Sequence, residues 1–488
     1  MITLEHVSFQ YGEQSEGAGV TDLNLQIESG ECILVCGKSG CGKTTLLRLL
    51  NGLIPGFFPG TLEGTVTVDG KNRSEETMYE LAPKTGTVFQ NPRTQFFNVD
   101  TDSEIAFGME NMAMDPAYMK QRVAETARAL QIENLCGRNI FELSGGEKQK
   151  IAFASVFALN PALFLLDEPS SNLDADGILH LKKQIALLKR LGKTILVTEH
   201  RLFYLLDLAD RILYMDEGRI RKSYTPEEFL RLRPETLSSM GLRATDLARV
   251  PLTNRTFKPG EPCFQLENVS VLRNGRVLLD GLSFSAARGE VIAVTGPNGT
   301  GKTSLARALA GLHKEVEGRF LKNGREQSRK DRLRESFVVM QDVNYQLFAE
   351  SVEAECAFGI RHPDRERIRR ILDALDLTPF RDRHPYTLSG GQKQRTALAS
   401  AIESEKEILI LDEPTSGLDY NGMQKVAELI RKLSAQGHLL FLVTHDYELI
   451  LETCSRILHL KDGALALDLP VTPETNETIL RLFERHDF

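Results

Sequence analysis

Apolar residues along the chain fall into two recurring arrangements. Short uninterrupted runs at Cys32–Cys36, Leu163–Asp167, Thr194–Thr198, Val291–Thr295, Ile408–Asp412 and Leu439–Thr444 have the length expected of buried strands. Alternating positions, Leu23, Leu25 and Ile27 early in the chain and Leu282, Phe284 and Ala286 later, predict half-buried strands. The runs Cys32–Cys36 and Val291–Thr295 lead through a glycine-rich loop into helices carrying Leu46-Leu47 and Leu305. Strands alternating with helices predict a parallel α/β core in each half. The most apolar segments, Leu163–Leu166 and Leu439–Val443, are strand-length. Crossing a bilayer takes roughly 18–20 apolar residues, so no membrane span is predicted.

The pattern occurs twice. Gly37-Lys38-Ser39-Gly40-Cys41-Gly42-Lys43-Thr44 returns as Gly296-Pro297-Asn298-Gly299-Thr300-Gly301-Lys302-Thr303. Leu143-Ser144-Gly145-Gly146 returns as Leu388-Ser389-Gly390-Gly391, and Leu166-Asp167-Glu168-Pro169 as Leu411-Asp412-Glu413-Pro414. The copies are offset by 259 positions at Gly37/Gly296, by 251 at Gln90/Gln341 and by 245 at Ser144/Ser389. The last offset then holds through Asp167/Asp412 to His200/His445, as one shared fold requires. Extra length in the first copy falls partly in Ile54–Gly60, whose Pro and Gly residues predict a surface loop. A helix is expected near Glu227–Leu232, and the Pro- and Gly-containing stretch beyond it marks a boundary. The expected division is residues 1–235, a linker over 236–262 and a second domain over 263–488.

Length agrees with this, since 488 residues exceed what one core holds. Hydrophobic residues at 41% and charged residues at 26% are ordinary globular usage and exclude a disordered or fibrous chain. A formal charge of −8 argues against broad binding to nucleic acid. The start, Met1-Ile2-Thr3-Leu4-Glu5-His6, has no leader pattern, and the seven cysteines show no metal-ligand spacing. Reduced thiols and a cytoplasmic location are expected. The charged stretches Lys322–Arg334 and Arg361–Arg370 read as solvated faces.

The candidate chemistry lies at the ends of the apolar runs. In both glycine loops small residues let backbone N–H groups surround a polyphosphate, and the following helix directs its positive end at it. Lys43 and Lys302 then meet the β/γ-phosphates, while the Thr44 and Thr303 hydroxyls suit Mg²⁺. Asp167 and Asp412 end strands where a carboxylate reaches that metal through water, and Glu168 and Glu413 are placed to polarise the attacking water. His200 and His445 are candidates to bond the γ-phosphate or to hold that water. Gln90 and Gln341 are candidates for Mg²⁺ or water. Ser144-Gly145-Gly146 and Ser389-Gly390-Gly391 open helices, as either an anion site or an ordinary cap. Cys41, beside Lys43 and a helix start, is either a reactive thiol or a tolerated small residue.

Glycine loop, glutamine, Leu-Ser-Gly-Gly, Asp-Glu-Pro and histidine, in this order twice, resemble the ATP-binding cassette (ABC) ATPases over nearly the whole chain. The resemblance implies two P-loop NTPase cassettes, each with a parallel RecA-like core, an antiparallel β subdomain and a helical subdomain. It implies ATP and Mg²⁺ as ligands and head-to-tail pairing of the cassettes, here within one chain. One composite site would join Gly37–Thr45, Gln90, Asp167, Glu168 and His200 to Ser389–Gln392; the other would join Gly296–Ser304, Gln341, Asp412, Glu413 and His445 to Ser144–Glu147. Asp174 and Asp419 match the family's D-loop. Both copies keep acid and histidine, so two hydrolytic sites are expected. Tyr11 fits the family's adenine-stacking aromatic residue, whereas the aligned Arg273 either stacks through its guanidinium plane or is an exposed loop residue. Weaker binding is expected at the second loop.

Gln90-Asn91-Pro92-Arg93-Thr94-Gln95-Phe96-Phe97 and Ile105-Ala106-Phe107-Gly108 resemble the energy-coupling factor (ECF) importers, and Gln346-Leu347-Phe348 and Ala357-Phe358-Gly359 answer them. ECF ATPases often carry acidic residues where Arg93 and Thr94 stand; Asn344 and Tyr345 depart from this too. That resemblance implies a peripheral motor on the cytoplasmic face of the cell membrane. Its partners would be a transmembrane coupling subunit and a substrate-binding membrane subunit importing a vitamin, vitamin precursor or metal ion. The alternatives are the motor of another importer, such as a sugar importer, and a twin-cassette ATPase acting on ribosomes. The ribosomal type usually has a long basic linker, unlike the short, mixed-charge Thr225–Cys263.

Overall fold

The computed structural model describes residues 1–12, 19–171, 173–253 and 260–484. Residues 254–259 of the expected linker and the Arg93 side chain lie outside the described set. The chain divides into two units, Met1–Asp246 with Asp419–Asn421, and Leu247–Leu418 with Gly422–Phe488.

In the first unit a six-stranded sheet runs in the order Arg219–Tyr224, Arg211–Asp216, Cys32–Gly37, Thr194–Thr198, Leu163–Asp167 and Thr85–Val88. All neighbours are parallel except the first pair. Period-two alternation explains how this sheet is covered on both sides. Cys32, Leu34 and Cys36 point into one cluster with Phe164, Leu166 and the helical part, whereas Ile33 and Val35 point into another with Leu46 and the antiparallel sheet. That second sheet orders Gly19–Ile27, Ile2–Tyr11, Gly60–Val68 and Lys71–Asn72. The helical part contains Thr101–Asn111, Pro116–Ala129 and Gly145–Leu159.

The second unit repeats the plan. Its six strands run Ser336–Val339, Ile408–Asp412, Leu439–Val443, Val291–Thr295, Arg456–Lys461 and Ala464–Pro470, with only the last pair antiparallel. An antiparallel sheet of Arg276–Ala287, Pro262–Arg273, Val316–Lys322 and Arg325–Glu326 accompanies it. Its helices include Val352–Ala357, Arg365–Ala374 and Gly390–Glu403. The two-cassette α/β plan implied by the repeated motifs is therefore the fold.

Three local expectations need adjusting. Ile54–Gly60 is not wholly a surface loop: Ile54 is 2% exposed, and the Arg48 guanidinium lies 4.0 Å over the Phe58 ring. Within Lys322–Arg334, Arg332 is buried 3.7 Å over the Phe320 ring, and burial, seconded by nearby Arg329, lowers its pKa to about 10. Part of the 236–262 stretch is folded: Leu237 and Leu242 belong to the first unit's core. No helix among the described residues is long and apolar enough to cross a membrane.

Candidate functional site

Each glycine loop leaves the middle of its parallel sheet and ends at a helix start. Gly42 and Gly301 are the N-caps of Lys43–Leu50 and Lys302–Leu309, with φ of 101° and 94°, a left-handed conformation that glycine tolerates. The loops also press on the adjacent strands. A Cβ at Gly37 would stand 2.2 Å from the Met215 carbonyl oxygen, and one at Gly296 equally close to that of Leu460. The buried Lys43 donates to the carbonyls of Gly37 at 3.0 Å and Lys38 at 3.1 Å; Lys302 donates to Gly296 at 2.7 Å and Pro297 at 2.9 Å. The ammonium groups are thus held inside their own loops, as a polyphosphate cradle needs.

Sheet order brings the acids to these loops. Thr44 Oγ1 donates to Asp167 at 3.2 Å and Thr303 Oγ1 to Asp412 at 2.9 Å. Burial is the main cause that raises the pKa of both aspartates, opposed at Asp167 by hydrogen bonds from Thr198 and Thr44 and at Asp412 by one from Thr303. A buried carboxylate held up in pKa beside a hydroxyl is an oxygen donor pair that a divalent cation would ionise and satisfy. The residues therefore fit Mg²⁺ bound through Thr and Asp with water completing its shell.

Glu168 and Glu413 follow in the left-handed backbone region, with φ of 45° and 53°. Such a non-glycine conformation costs on the order of 1–3 kcal/mol and persists where its surroundings enforce it. Here the amide of Glu168 donates to the Thr198 carbonyl at 3.0 Å and that of Glu413 to Val443 at 2.8 Å, aiming both side chains past the strand ends. Glu168 Oε1 lies 3.0 Å from His200 Nε2, and Glu168 Oε2 accepts from Gln90 Nε2 at 2.7 Å. Burial works to raise the Glu168 pKa, but His200 and Lys43 outweigh it and hold the carboxyl below its ordinary value. In the second unit Glu413 lies 3.6 Å from His445 Nε2. Gln341 is exposed after its strand.

Glycine loop, Asp, Glu and His therefore converge in each unit, joined in the first by Gln90. The Leu-Ser-Gly-Gly turns stay local. Ser144 and Ser389 cap Gly145–Leu159 and Gly390–Glu403 in capping boxes with Glu147 and Gln392. Asp174 likewise caps Ala175–Arg190, accepting from Gly177 N at 2.8 Å.

The positions expected on the adenine side diverge. Tyr11 Oη hydrogen-bonds Thr45 Oγ1 at 3.1 Å and accepts from Arg48 at 3.0 Å, tying the ring to the glycine-loop helix. Arg273 is exposed at the end of its strand. The reactive-thiol alternative for Cys41 does not hold: the side chain is 4% exposed, and burial raises its pKa above the ordinary thiol value despite Lys43.

Several supporting roles were not assigned from the motifs, and Glu104 and Glu355 lay outside them. Gln95 accepts from Phe89 N and donates to the Thr87 carbonyl, both at 3.3 Å; Gln346 makes the same pair with Met340 and Val338 at 3.0 and 2.8 Å. Buried Glu104 accepts from the amides of Phe97 and Asn98 at 3.0 and 2.8 Å, and buried Glu355 from Phe348 and Ala349 at 2.7 Å each. The 251-position offset pairs these residues and was the available signal. They fix Phe97 and Phe348, whose side chains are 73% and 68% exposed.

Comparison with known proteins agrees with this geometry. The model of the ABC transporter family matches residues 20–171 and 279–416. A putative ABC transporter ATP-binding protein of Treponema denticola is 46% identical over 475 residues, covering 96% of this chain and 97% of the relative. One of the same description from Methanosarcina mazei is 33% identical, covering 96% and 89%. Among solved structures, an RNase-L inhibitor superposes with a TM-score of 0.68 at 22% identity, covering 98% of this chain and 93% of that one. An archaeal ribosome recycling factor, solved with a ribosomal stalk protein, gives 0.67 at 22% identity over 98% and 92%. At that identity these two likenesses speak to fold alone.

Proposed function

We propose, for a chain that belongs to the ABC transporter family and is an ATPase of two cassettes, that it is the peripheral motor of an ECF-type importer on the cytoplasmic membrane face. In this reading ATP hydrolysis drives a vitamin, a vitamin precursor or a metal ion through separate transmembrane and substrate-binding subunits. Mg²⁺ would be held by Thr44, Asp167 and the Gln90 amide oxygen in one cassette and by Thr303, Asp412 and Gln341 in the other, and when bound it neutralises developing phosphate charge. Backbone amides of Gly37–Thr45 and Gly296–Ser304, with Lys43 and Lys302, would bind the phosphates. Glu168 and Glu413 would accept the proton of the attacking water while His200 and His445 hold the γ-phosphate side, and Gln90 orients Glu168 through its amide hydrogen bond. Tyr11 would stack on adenine. Ser144–Gly146 and Ser389–Gly391, at the starts of their helices, would offer a hydroxyl and helix-terminal amides to a phosphate.

One observation carries the importer reading beyond the family. Phe97 and Phe348 stand exposed in the segments after the glutamines while buried glutamates hold their amides, and Gln95 and Gln346 bond the backbone just before Gln90 and Gln341, so each presents an anchored apolar group near its glutamine. Phe107 stacks on Phe97 with ring centroids 4.8 Å apart. Such a group suits a helix end of a membrane subunit, and the relatives described as ABC transporter ATP-binding proteins support it. Purification from detergent-solubilised membranes tests the proposal. Co-recovery of a transmembrane subunit is expected; recovery with ribosomes and no membrane protein would overturn it.

A further inference from the structure

The glutamate and histidine of each cassette sit on different strand ends, and a buried carboxylate ties those ends together by different routes in the two copies. In the first cassette that group is Glu199, 2% exposed. Its Oε1 accepts from the Ser170 amide at 2.9 Å and from Tyr204 Oη at 2.7 Å; its Oε2 accepts from the amides of His200 at 3.0 Å and Arg201 at 3.3 Å. Ser170 is two residues past Glu168, so one carboxylate binds the glutamate turn to the histidine turn. In the second cassette the position of Glu199 is Thr444 and that of Arg201 is Asp446. Asp446, 4% exposed, accepts from Thr415 Oγ1 at 2.6 Å, and Thr415 is two residues past Glu413. The Asp446 amide donates to Thr444 Oγ1 at 3.1 Å, and its carboxylate caps Tyr447–Thr453 through the Leu449 amide at 3.2 Å. The carboxylate has moved from one side of the histidine to the other, and its partner has changed from a backbone amide to a threonine hydroxyl.

We infer that Glu199 and Asp446 are positioning residues that set how Glu168 meets His200 and how Glu413 meets His445. A carboxylate this deep persists only when its oxygens are satisfied; Glu199 is satisfied by the two turns it joins and by Tyr204, and Asp446 by Thr415 and the Leu449 amide. The glutamate and histidine approach to 3.0 Å in the first cassette and to 3.6 Å in the second, beside these two different ties. The inference rests on the catalytic reading of these glutamates and histidines given above.

The test uses the full chain with one site silenced, so that each cassette is read alone. In the Glu413→Gln background, Glu199→Gln lowers kcat by about ten- to hundredfold, the scale of a small misplacement of catalytic groups. KM for ATP stays within about twofold, because the glycine loop is untouched. Transplanting the second arrangement as Ser170→Thr/Glu199→Thr/Arg201→Asp restores kcat above that of Glu199→Thr alone. In the Glu168→Gln background, Asp446→Asn produces the corresponding kcat loss. Tyr204→Phe removes a single bond to Glu199 and gives a smaller kcat loss in a protein that still folds. Unchanged kcat in Glu199→Gln and Tyr204→Phe, or a transplant no better than Glu199→Thr, overturns the positioning role while leaving the catalytic reading intact. Undiminished turnover in Glu168→Gln/Glu413→Gln overturns the catalytic reading and this inference with it.

Discussion

The two cassettes carry the same lysine, threonine, aspartate, glutamate and histidine on equivalent sheets, yet they differ in what surrounds them. In the first, Tyr11 is bonded to the glycine-loop helix and packed edge-on to Phe9 at 4.8 Å, with Phe58 at 6.2 Å. In the second, the matching Arg273 is exposed, and no counterpart of the inserted Phe57-Phe58 pair exists in its shorter sequence. The histidine turn differs as well. Asp446 caps a helix at Tyr447–Thr453, whereas Arg201 cannot serve as that cap and the stretch after it contains no helix. The two copies share the groups that would touch the phosphates and differ in the residues that support them. Equal motifs therefore predict the same chemistry at both sites but not the same affinity or pace.

Removing what the cassettes share should give the largest effects. Lys43→Ala and Lys302→Ala each delete an ammonium that organises its loop, and each should weaken ATP binding at its own site by about ten- to hundredfold, from the worth of hydrogen bonds to a charged group. Nucleotide titration of single-site variants reads this, and a loss confined to one lysine would break the symmetry of the loops. The adenine side should then separate the copies. Tyr11→Ala should cost on the order of tenfold in affinity at the first loop, the low end of base–aromatic stacking. Arg273→Ala should change the second by less than about threefold, and Arg273→Tyr should tighten it. Equal affinities at the two unmodified loops would remove the contrast.

Stability should look alike in both halves. Glu104→Gln and Glu355→Gln each disturb a buried carboxylate accepting two amides and should lower unfolding free energy by about 1–3 kcal/mol. Denaturant unfolding checks it, and a large effect in one cassette alone would show that the segments after Gln90 and Gln341 are held differently. The smallest effect concerns Cys41. With its thiol buried and its pKa raised, alkylation of the native protein should leave turnover within about twofold. Loss of activity that ATP prevents would contradict this.

Much of the candidate site is legible in the sequence because its residues are of defined type at fixed spacing. The apolar runs ending in Asp167 and Asp412, and the glycine loops entering helices, announced both the parallel sheet and the ligand. What stayed hidden depends on contacts across the sheet. Glu199 reads as one more acid beside a histidine, and only its burial against Ser170 and Tyr204 gives it a task. Ile54 and Arg332 were misjudged for a related reason: a proline-rich or charged neighbourhood predicts exposure, but Ile54 is drawn into the core beside the first sheet and Arg332 finds an aromatic face at Phe320. Cys41 shows the opposite limit, since a lysine and a helix start favour a thiolate only where solvent reaches the sulfur.

Two hydrolytic sites are expected despite the different supports of the two cassettes. Turnover per molecule in Glu168→Gln and in Glu413→Gln, measured separately against the unmodified chain, tests this directly. Both substitutions should lower turnover, and the pair together should lower it by about 10²–10⁴-fold, the usual worth of a positioned acid–base group. If either single substitution left turnover untouched, that cassette would be catalytically silent and the account of two working sites would fail.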